Sequence, residues 1–249
     1  VFEEFPMRFL VQFYQHHGLL TLRDAPAWRV VRGGSRQYVR ALVARLPNPI
    51  RLRMPVRAMV RRTEGVELRF ATGSAELFDH VIAGCHADQS LRLLGGAATA
   101  AERQILREFP YQANTATLHT DARLLPRRRG AWASWNYYVP AQPSSSATVT
   151  YHMNRLQGLT TAENYCVSLN QEARIDPRRI IRSMTYHHPV FGLSRLAAQQ
   201  RHRELIDHDR ISYCGAYWGN GFHEDGVNSA LAVCKVLNAR YAAETAGAA

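Results

Sequence analysis

Cys214-Gly215-Ala216-Tyr217-Trp218-Gly219-Asn220-Gly221-Phe222-His223-Glu224-Asp225-Gly226-Val227-Asn228-Ser229-Ala230 is the stretch on which the fold turns. It opens at the end of Ile211–Cys214, which reads as a short strand, and leads into a helical pattern over Gly226–Tyr241. A helix N-terminus presents unpaired backbone N–H groups and a positive dipole end, a setting for a phosphate or an electron-rich ring carbonyl. Glycines at 215, 219, 221 and 226 let the backbone approach a flat ligand closely. A plain strand-to-helix connection, with Glu224 and Asp225 as helix-favouring acids, gives the same pattern without any ligand.

Working outward, Phe78–Ala83 reads as a strand, and its end His80-Val81-Ile82-Ala83 lacks alternation, as a strand buried on both faces would. Ile50–Arg53 running into Val56–Val60, and then Val66–Phe70, precede it, with Glu64-Gly65 and Thr72-Gly73 as turns. Helices are expected over 6–17, ended by Gly18, and after Ser35, with Tyr38, Val39, Leu42, Val43 and Leu46 on one face. Thr99 and Glu102 stand at capping-box spacing for a helix over Thr99–Phe109. Short runs rich in threonine and aromatic residues then predict strands at Asn114–Thr120, Trp132–Tyr138, Ala147–Met153 and Tyr165–Leu169, with a turn over Pro140–Ser146. Asp176-Pro177 predicts the start of a helix, and Leu193–Ile206 a further one.

A chain of 249 residues, 46% hydrophobic and 20% charged, is an ordinary globular composition. No apolar run approaches the roughly 20 residues of a membrane span. Four scattered cysteines, Cys85, Cys166, Cys214 and Cys234, show no metal-ligand spacing and read as buried free thiols of a reducing, cytoplasmic setting. The net charge of +11 comes from arginine, since Lys235 is the only lysine. Its arginines are spread along the chain, and the one cluster, Arg123 with Arg127–Arg129, reads as a solvated loop, so no nucleic-acid partner is expected. His16, His17, His187 and His188 read as structural, whereas His223 sits in the glycine loop and is the one candidate acid–base group.

The strand–Gly-Ala–loop–helix run resembles the C-terminal signature of flavin amine oxidases. The wording from Gly215 to Gly219 and from Phe222 to Gly226 resembles a bacterial group of NAD/FAD-binding proteins within that superfamily, which is similar to the amine-oxidase-like part of plant cyclopropane fatty acid synthases. Trp28-Arg29-Val30-Val31-Arg32-Gly33-Gly34-Ser35 resembles the family's Gly-Gly entry into a helix, Val56 the strand whose backbone contacts adenine, and Phe78 to His86 the strand and turn beside the dinucleotide. His119-Thr120-Asp121, the run from Trp132 to Tyr137 and that from Met153 to Gly158 are similar to the same group.

The resemblance implies an α/β fold: a Rossmann-like FAD-binding domain, lacking its N-terminal βαβ unit, interleaved with an α+β substrate domain containing an antiparallel sheet. The implied divisions are 1–27 and 95–204 for the substrate domain, and 28–94 and 205–249 for the FAD domain. It implies FAD as cofactor, held by Gly33, Gly34, Val56, Cys85, Gly215, Ala216, Gly221, Phe222, Asp225, Gly226 and Val227, and a substrate pocket with Trp132, Trp135 and Tyr137. Gly215, Gly226 and Val227 are expected on one groove with Val56 and Cys85. The implied activity is FAD-dependent oxidoreduction on a small molecule or lipid, with a functional link to a cyclopropane fatty acid synthase. The chain departs from the family pattern in two ways. It has no Gly-x-Gly-x-x-Gly fingerprint, so by itself it is expected to hold FAD poorly. Amine oxidases commonly use a lysine near the flavin, and Lys235 lies in the terminal helix. A non-catalytic flavin- or partner-binding module is the alternative.

Overall fold

The computed structural model describes residues 6–21, 23, 27, 29–141 and 146–247; the opening residues 1–5, Trp28 and the centre of the expected turn at 142–145 lie outside them. The chain forms two compact units, each assembled from separated stretches. One comprises 14–50 and 112–188 (with residue 1), and the other 2–13, 51–111 and 189–249. Residues 95–111 and 189–204, expected with the substrate domain, cluster with the second unit, whose core takes Ala98, Ile105, Leu106, Phe109 and Ala198; residues 28–50 cluster with the first.

In the second unit, most of α1 (Met7–His16) precedes an antiparallel meander of β1 (Val56–Arg61), β2 (Val66–Phe70) and β3 (Ala75–Phe78). Its inward residues Met59, Val66 and Phe70 are buried. Ile50–Arg53 is a turn and no strand: Arg53 has φ +59°, and Arg51 reaches both oxygens of Glu76 at 2.6 and 2.5 Å. The expected single strand Phe78–Ala83 is two. β3 ends at Phe78, opposite Val66, and β4 (Val81–Ala83) pairs in parallel with β10 (Ile211–Tyr213) in a different sheet. Asp79 and His80 make the change of partner, and the Val81 N–H is taken by the Arg210 carbonyl at 3.0 Å.

Helix α3 (Ala87–Leu94) was not legible in the sequence, and α4 (Ala100–Leu106) was. Thr99 and Glu102 form the expected capping box, with Glu102 N–H donating to Thr99 Oγ1 at 3.2 Å and Thr99 N–H to Glu102 Oε2 at 2.7 Å. Glu102 is also fully buried, and its other oxygen accepts from Arg61 of β1 and the Tyr213 hydroxyl of β10. Burial opposes its charge, but the hydrogen bonds from Arg61, Tyr213 and Thr99 outweigh it and hold the carboxyl below its ordinary range. One side chain thus ties the meander, α4 and the central strand together.

The first unit holds α2 (Arg36–Val43) and a five-stranded sheet in the order β6-β7-β8-β5-β9. Its strands are β5 (Tyr111–His119, of which 112–119 belong here), β6 (Trp135–Tyr137), β7 (Val149–His152), β8 (Cys166–Leu169) and β9 (Ile180–Pro189, to His188). A short helix, α5 (Met153–Gln157), links β7 to β8. Ser35 precedes α2 without a side-chain capping bond, and the apolar face of α2 is exposed. The helix expected after Asp176-Pro177 is one 3-10 turn, and β9 follows at once. Proline fitted the turn's first position, but Ile180, Ile181, Thr185 and Tyr186 favour an extended chain, which runs beside β5 with Ser183 Oγ 3.1 Å from Thr117 Oγ1. Similarly, the helix expected over Leu193–Ile206 is α6 (Ser194–Gln200) followed by a 3-10 turn, and α7 (His223–Gly247) starts three residues before Gly226. All four cysteines are free thiols; Cys166 is buried, Cys85 and Cys214 are half-buried, and Cys234 is exposed, against expectation.

One face of this sheet is sealed by polar groups. His119 Nε2 lies 2.8 Å from Ser168 Oγ, which lies 2.8 Å from Thr150 Oγ1, while His119 Nδ1 accepts the Asp121 N–H at 3.1 Å. Nε2 therefore carries the proton and donates to Ser168, the reverse of what a general base for serine requires. Burial lowers the His119 pKa against the opposing pull of Asp121, and burial is also the main cause lowering those of His80 and His202. As pH falls from the unfolded value of about 6.5 through these lowered values, the unfolded chain takes up protons the fold refuses. Melting temperature should therefore hold between pH 8 and 7 and decline below about 6.5. The His119→Gln variant, which keeps a donor toward Ser168, should show a shallower decline; an equal slope would remove His119 from the account.

Candidate flavin site

The site is built where β4 and β10 end side by side. β10 is buried at all three positions, Ser212 included, whereas Ile82 of β4 is exposed, against the expectation of a strand buried on both faces; in parallel sheets ligands gather beyond the carboxyl ends. The Cys214 N–H donates to the Ala83 carbonyl at 3.1 Å, and a Cβ built on Gly84 would stand 3.7 Å from Cys214 Sγ. Chain positions 84–85 and 214–215 are thus neighbours. From there Gly215 N–H donates to Ser229 Oγ at 2.9 Å, and Ser229 Oγ donates to the Gly226 carbonyl at 2.8 Å, so the first turns of α7 fold back onto the end of β10.

The loop glycines have separate reasons. Gly215 has φ +154°, and a Cβ there would stand 2.6 Å from the Tyr217 ring. A Cβ on Gly219 would collide with the Asp225 carboxylate, which accepts the Phe222 N–H at 2.9 Å and so holds the loop itself. A Cβ on Gly226 would make only ordinary contact, 3.7 Å from the Ala216 nitrogen. Internal packing therefore demands glycine at 215 and 219 and leaves 226 to another cause. Tyr217 and Trp218 anchor the loop in the core with ring centroids 4.9 and 5.2 Å from Phe109.

A groove of about 660 Å³ runs beside β4. Val56, Met59, Leu68 and Leu93 supply apolar lining, Arg57, Gln89 and Arg92 polar groups, and Val81–Cys85 one wall. The structure thus brings Val56 and Cys85 together. Gly215 and Gly226 adjoin the Cys85 end through Cys214 without lining the groove, and Val227 is exposed. A volume of this size suits a ligand the size of an adenosine. A bulge between Val56 and Ala58 breaks the β1–β2 register where such a base would meet Val56. The residues present fit one end of a dinucleotide.

Phe222 stacks on Phe13 at 6.2 Å, and His223 opens α7 on an exposed face. Gly33 and Gly34, with φ +79° and +83°, make the turn into α2 in the first unit. There too stand Trp132, half-buried with its indole N–H donating to the Pro126 carbonyl at 2.7 Å, and the exposed Trp135 and Tyr137 of β6. Sequence reasoning missed Arg57, Gln89 and Arg92, which only the groove reveals. It also missed Arg195, whose i, i+4 spacing to Gln199 was visible but whose burial was not.

The sequence profile of the flavin containing amine oxidoreductases matches residues 6–170, stopping short of the glycine loop. The chain belongs to the flavin containing amine oxidoreductase family, whose cofactor is FAD. No curated protein sequence matches it. Among solved structures, a candidate protoporphyrinogen oxidase from Exiguobacterium sp. 255-15 is similar with a TM-score of 0.64 at 14% identity, over 94% of this chain and 58% of that one. A CLA-producing fatty acid isomerase from P. acnes is similar at 0.57 and 13% identity (81% and 52%), and a reduced UDP-galactopyranose mutase at 0.57 and 14% (83% and 52%). At such identities the likeness is one of fold, and the chain spans somewhat over half of those structures.

Proposed function

We propose that this chain is part of an FAD-dependent oxidoreductase of amine-oxidase-like type, carrying the adenosine groove and the flavin-facing loop. The observation that carries the reading is the juxtaposition of the Val56–Cys85 groove with Gly215 and the α7 N-terminus at the carboxyl ends of β4 and β10. FAD, when bound, supplies the ring that accepts a hydride from substrate. The chain's own residues bind and orient: Val56 and Leu93 take an apolar face, Arg57 and Arg92 offer positive charge to phosphates, and the α7 N-terminus offers its dipole to an electron-rich edge.

The reading includes a Rossmann-like sheet completed by a further strand. Val81 and Ala83 pair with β10, so the intervening Ile82 turns its backbone groups to the groove side. Among the described residues no strand pairs with that edge, and two-stranded parallel sheets do not stand alone. A lipid or acyl substrate is supported by the exposed Trp135 and Tyr137, and a link to a cyclopropane fatty acid synthase by the sequence resemblance alone. Lys235, the only lysine, lies on the exposed side of α7, which favours the non-catalytic alternative where turnover needs a lysine at the ring.

The test is flavin content. The complete protein carrying this chain should purify yellow with bound FAD, and residues 1–249 alone should purify nearly colourless. Full flavin loading of the 249-residue chain would show that it needs no further strand; a colourless complete protein that also fails to take up added FAD would sink the cofactor reading.

A further inference from the structure

Arg195 and Gln199 stand one turn apart on α6 and converge on the same two loop carbonyls. Arg195 Nη2 donates to the carbonyls of Tyr217 at 3.1 Å and Gly219 at 2.9 Å, and Gln199 Nε2 donates to the same pair at 2.9 and 2.6 Å. Arg195 is 2% exposed. Its guanidinium lies 4.0 Å from the Phe191 ring centroid and 5.7 Å from that of Phe109. No carboxylate pairs with it among the described residues, and its Nε and Nη1 are buried without a partner.

A buried cation that no carboxylate touches is costly, Asp225 of the loop favouring its charge only from beyond ion-pair distance, and packing alone does not call for it: a methionine fills a similar volume, and Gln199 already bonds both carbonyls. Burial lowers the Arg195 pKa to about 10, so the charge persists at neutral pH. Surrounding low-polarity groups screen it weakly, and its field extends into the loop whose carbonyls it holds. A fixed positive charge beside a redox ring favours the reduced, more negative state.

We propose that Arg195 is a positioning residue for the flavin loop, with Gln199 as its partner, and that its charge, held without a direct ion pair, raises the reduction potential of the flavin. The inference rests on the reading that the loop from Gly215 to Gly226 meets the ring. It requires no group beyond that flavin, and no proton or electron passes through Arg195 itself.

The test uses the complete holoprotein and measures the flavin midpoint potential by spectroelectrochemistry, alongside FAD affinity and melting temperature. Arg195→Met should lower the potential, and Arg195→Lys should keep most of it. Gln199→Met and Gln199→Glu lose the same two hydrogen bonds, which should loosen FAD binding by about tenfold in each. Only Gln199→Glu places a carboxylate beside Arg195, so only it should lower the potential. This pair decides the matter even if Arg195→Met does not fold. Equal potentials in Gln199→Met and Gln199→Glu, or an unchanged potential in Arg195→Met, would leave Arg195 a packing residue and overturn the proposal. Holoprotein that cannot be formed even with wild-type sequence and added FAD would instead remove the flavin reading on which the proposal stands.

Discussion

Replacing Glu102 with alanine is expected to destabilise the chain by roughly 3 kcal/mol, the low end of the range for breaking a buried ion pair. Three donors lose their acceptor at once: the Thr99 N–H, the Tyr213 hydroxyl and the Arg61 guanidinium. Tyr213 is fully buried, so its hydroxyl has no water to turn to. Arg61 is less stranded, because it keeps Asp209 at 2.9 Å and is partly exposed, which is why the low end applies. For a chain of this size, about 3 kcal/mol corresponds to a fall in melting temperature of roughly 6–12 °C. Glu102→Gln should cost less, since an amide oxygen still accepts from one donor. A melting temperature for Glu102→Ala within about 2 °C of wild type, by calorimetry, would show that the network contributes little.

The second large effect concerns the ligand and leaves the fold intact. Gly226→Val in the complete protein should abolish flavin loading, measured by visible absorbance, while far-ultraviolet circular dichroism stays as in wild type. Gly226 is helical, a Cβ there meets Ala216 at ordinary contact distance, and valine is no worse than glycine as a helix residue. A Cβ at 226 therefore meets no clash inside the protein, and Gly226→Ala, which adds that Cβ alone, separates packing from an intrusion on whatever approaches the α7 N-terminus. The same substitution at Gly215 would be uninformative, because Tyr217 already excludes a side chain there. His16→Ala, on the last residue of α1, should leave flavin content unchanged. Full flavin content in Gly226→Val would make the helix terminus a packing element and favour a binding module of another kind.

How much of this was written in the sequence differs by element. The meander was legible because Val66, Leu68 and Phe70 alternate with charged neighbours between two glycine turns. The capping box was legible because it is a local rule between Thr99 and Glu102, but the burial of Glu102 was not, since Arg61 and Tyr213 reach it from 41 and 111 residues away. β9 was misread for the complementary reason: proline at 177 is a strong local signal, and the strand exists through its neighbour β5. Family wording picked out Val56 and Cys85, which share a groove. Arg57, Gln89 and Arg92 carry no wording of their own, and on a chain with so many arginines only the cavity wall distinguishes them.

The pairing of β4 with β10 also bears on how the molecule is made. Val81 and Ile211 are register partners separated by 130 residues. At ordinary synthesis speeds of about 5–20 residues per second, β4 leaves the ribosome roughly 7–26 s before its partner exists. Over that interval Val81-Ile82-Ala83 is an apolar strand with two open edges, the kind of segment that draws chaperones or aggregates. The thermodynamic penalty for so distant a closure is small, since loop entropy grows only logarithmically with length. The penalty is in time, because contacts of long sequence separation fold slowly. Pieces of this protein that end before residue 211 would carry the groove wall without the strand that steadies it, and low solubility in such pieces would reflect the order of synthesis and not a defect of the groove.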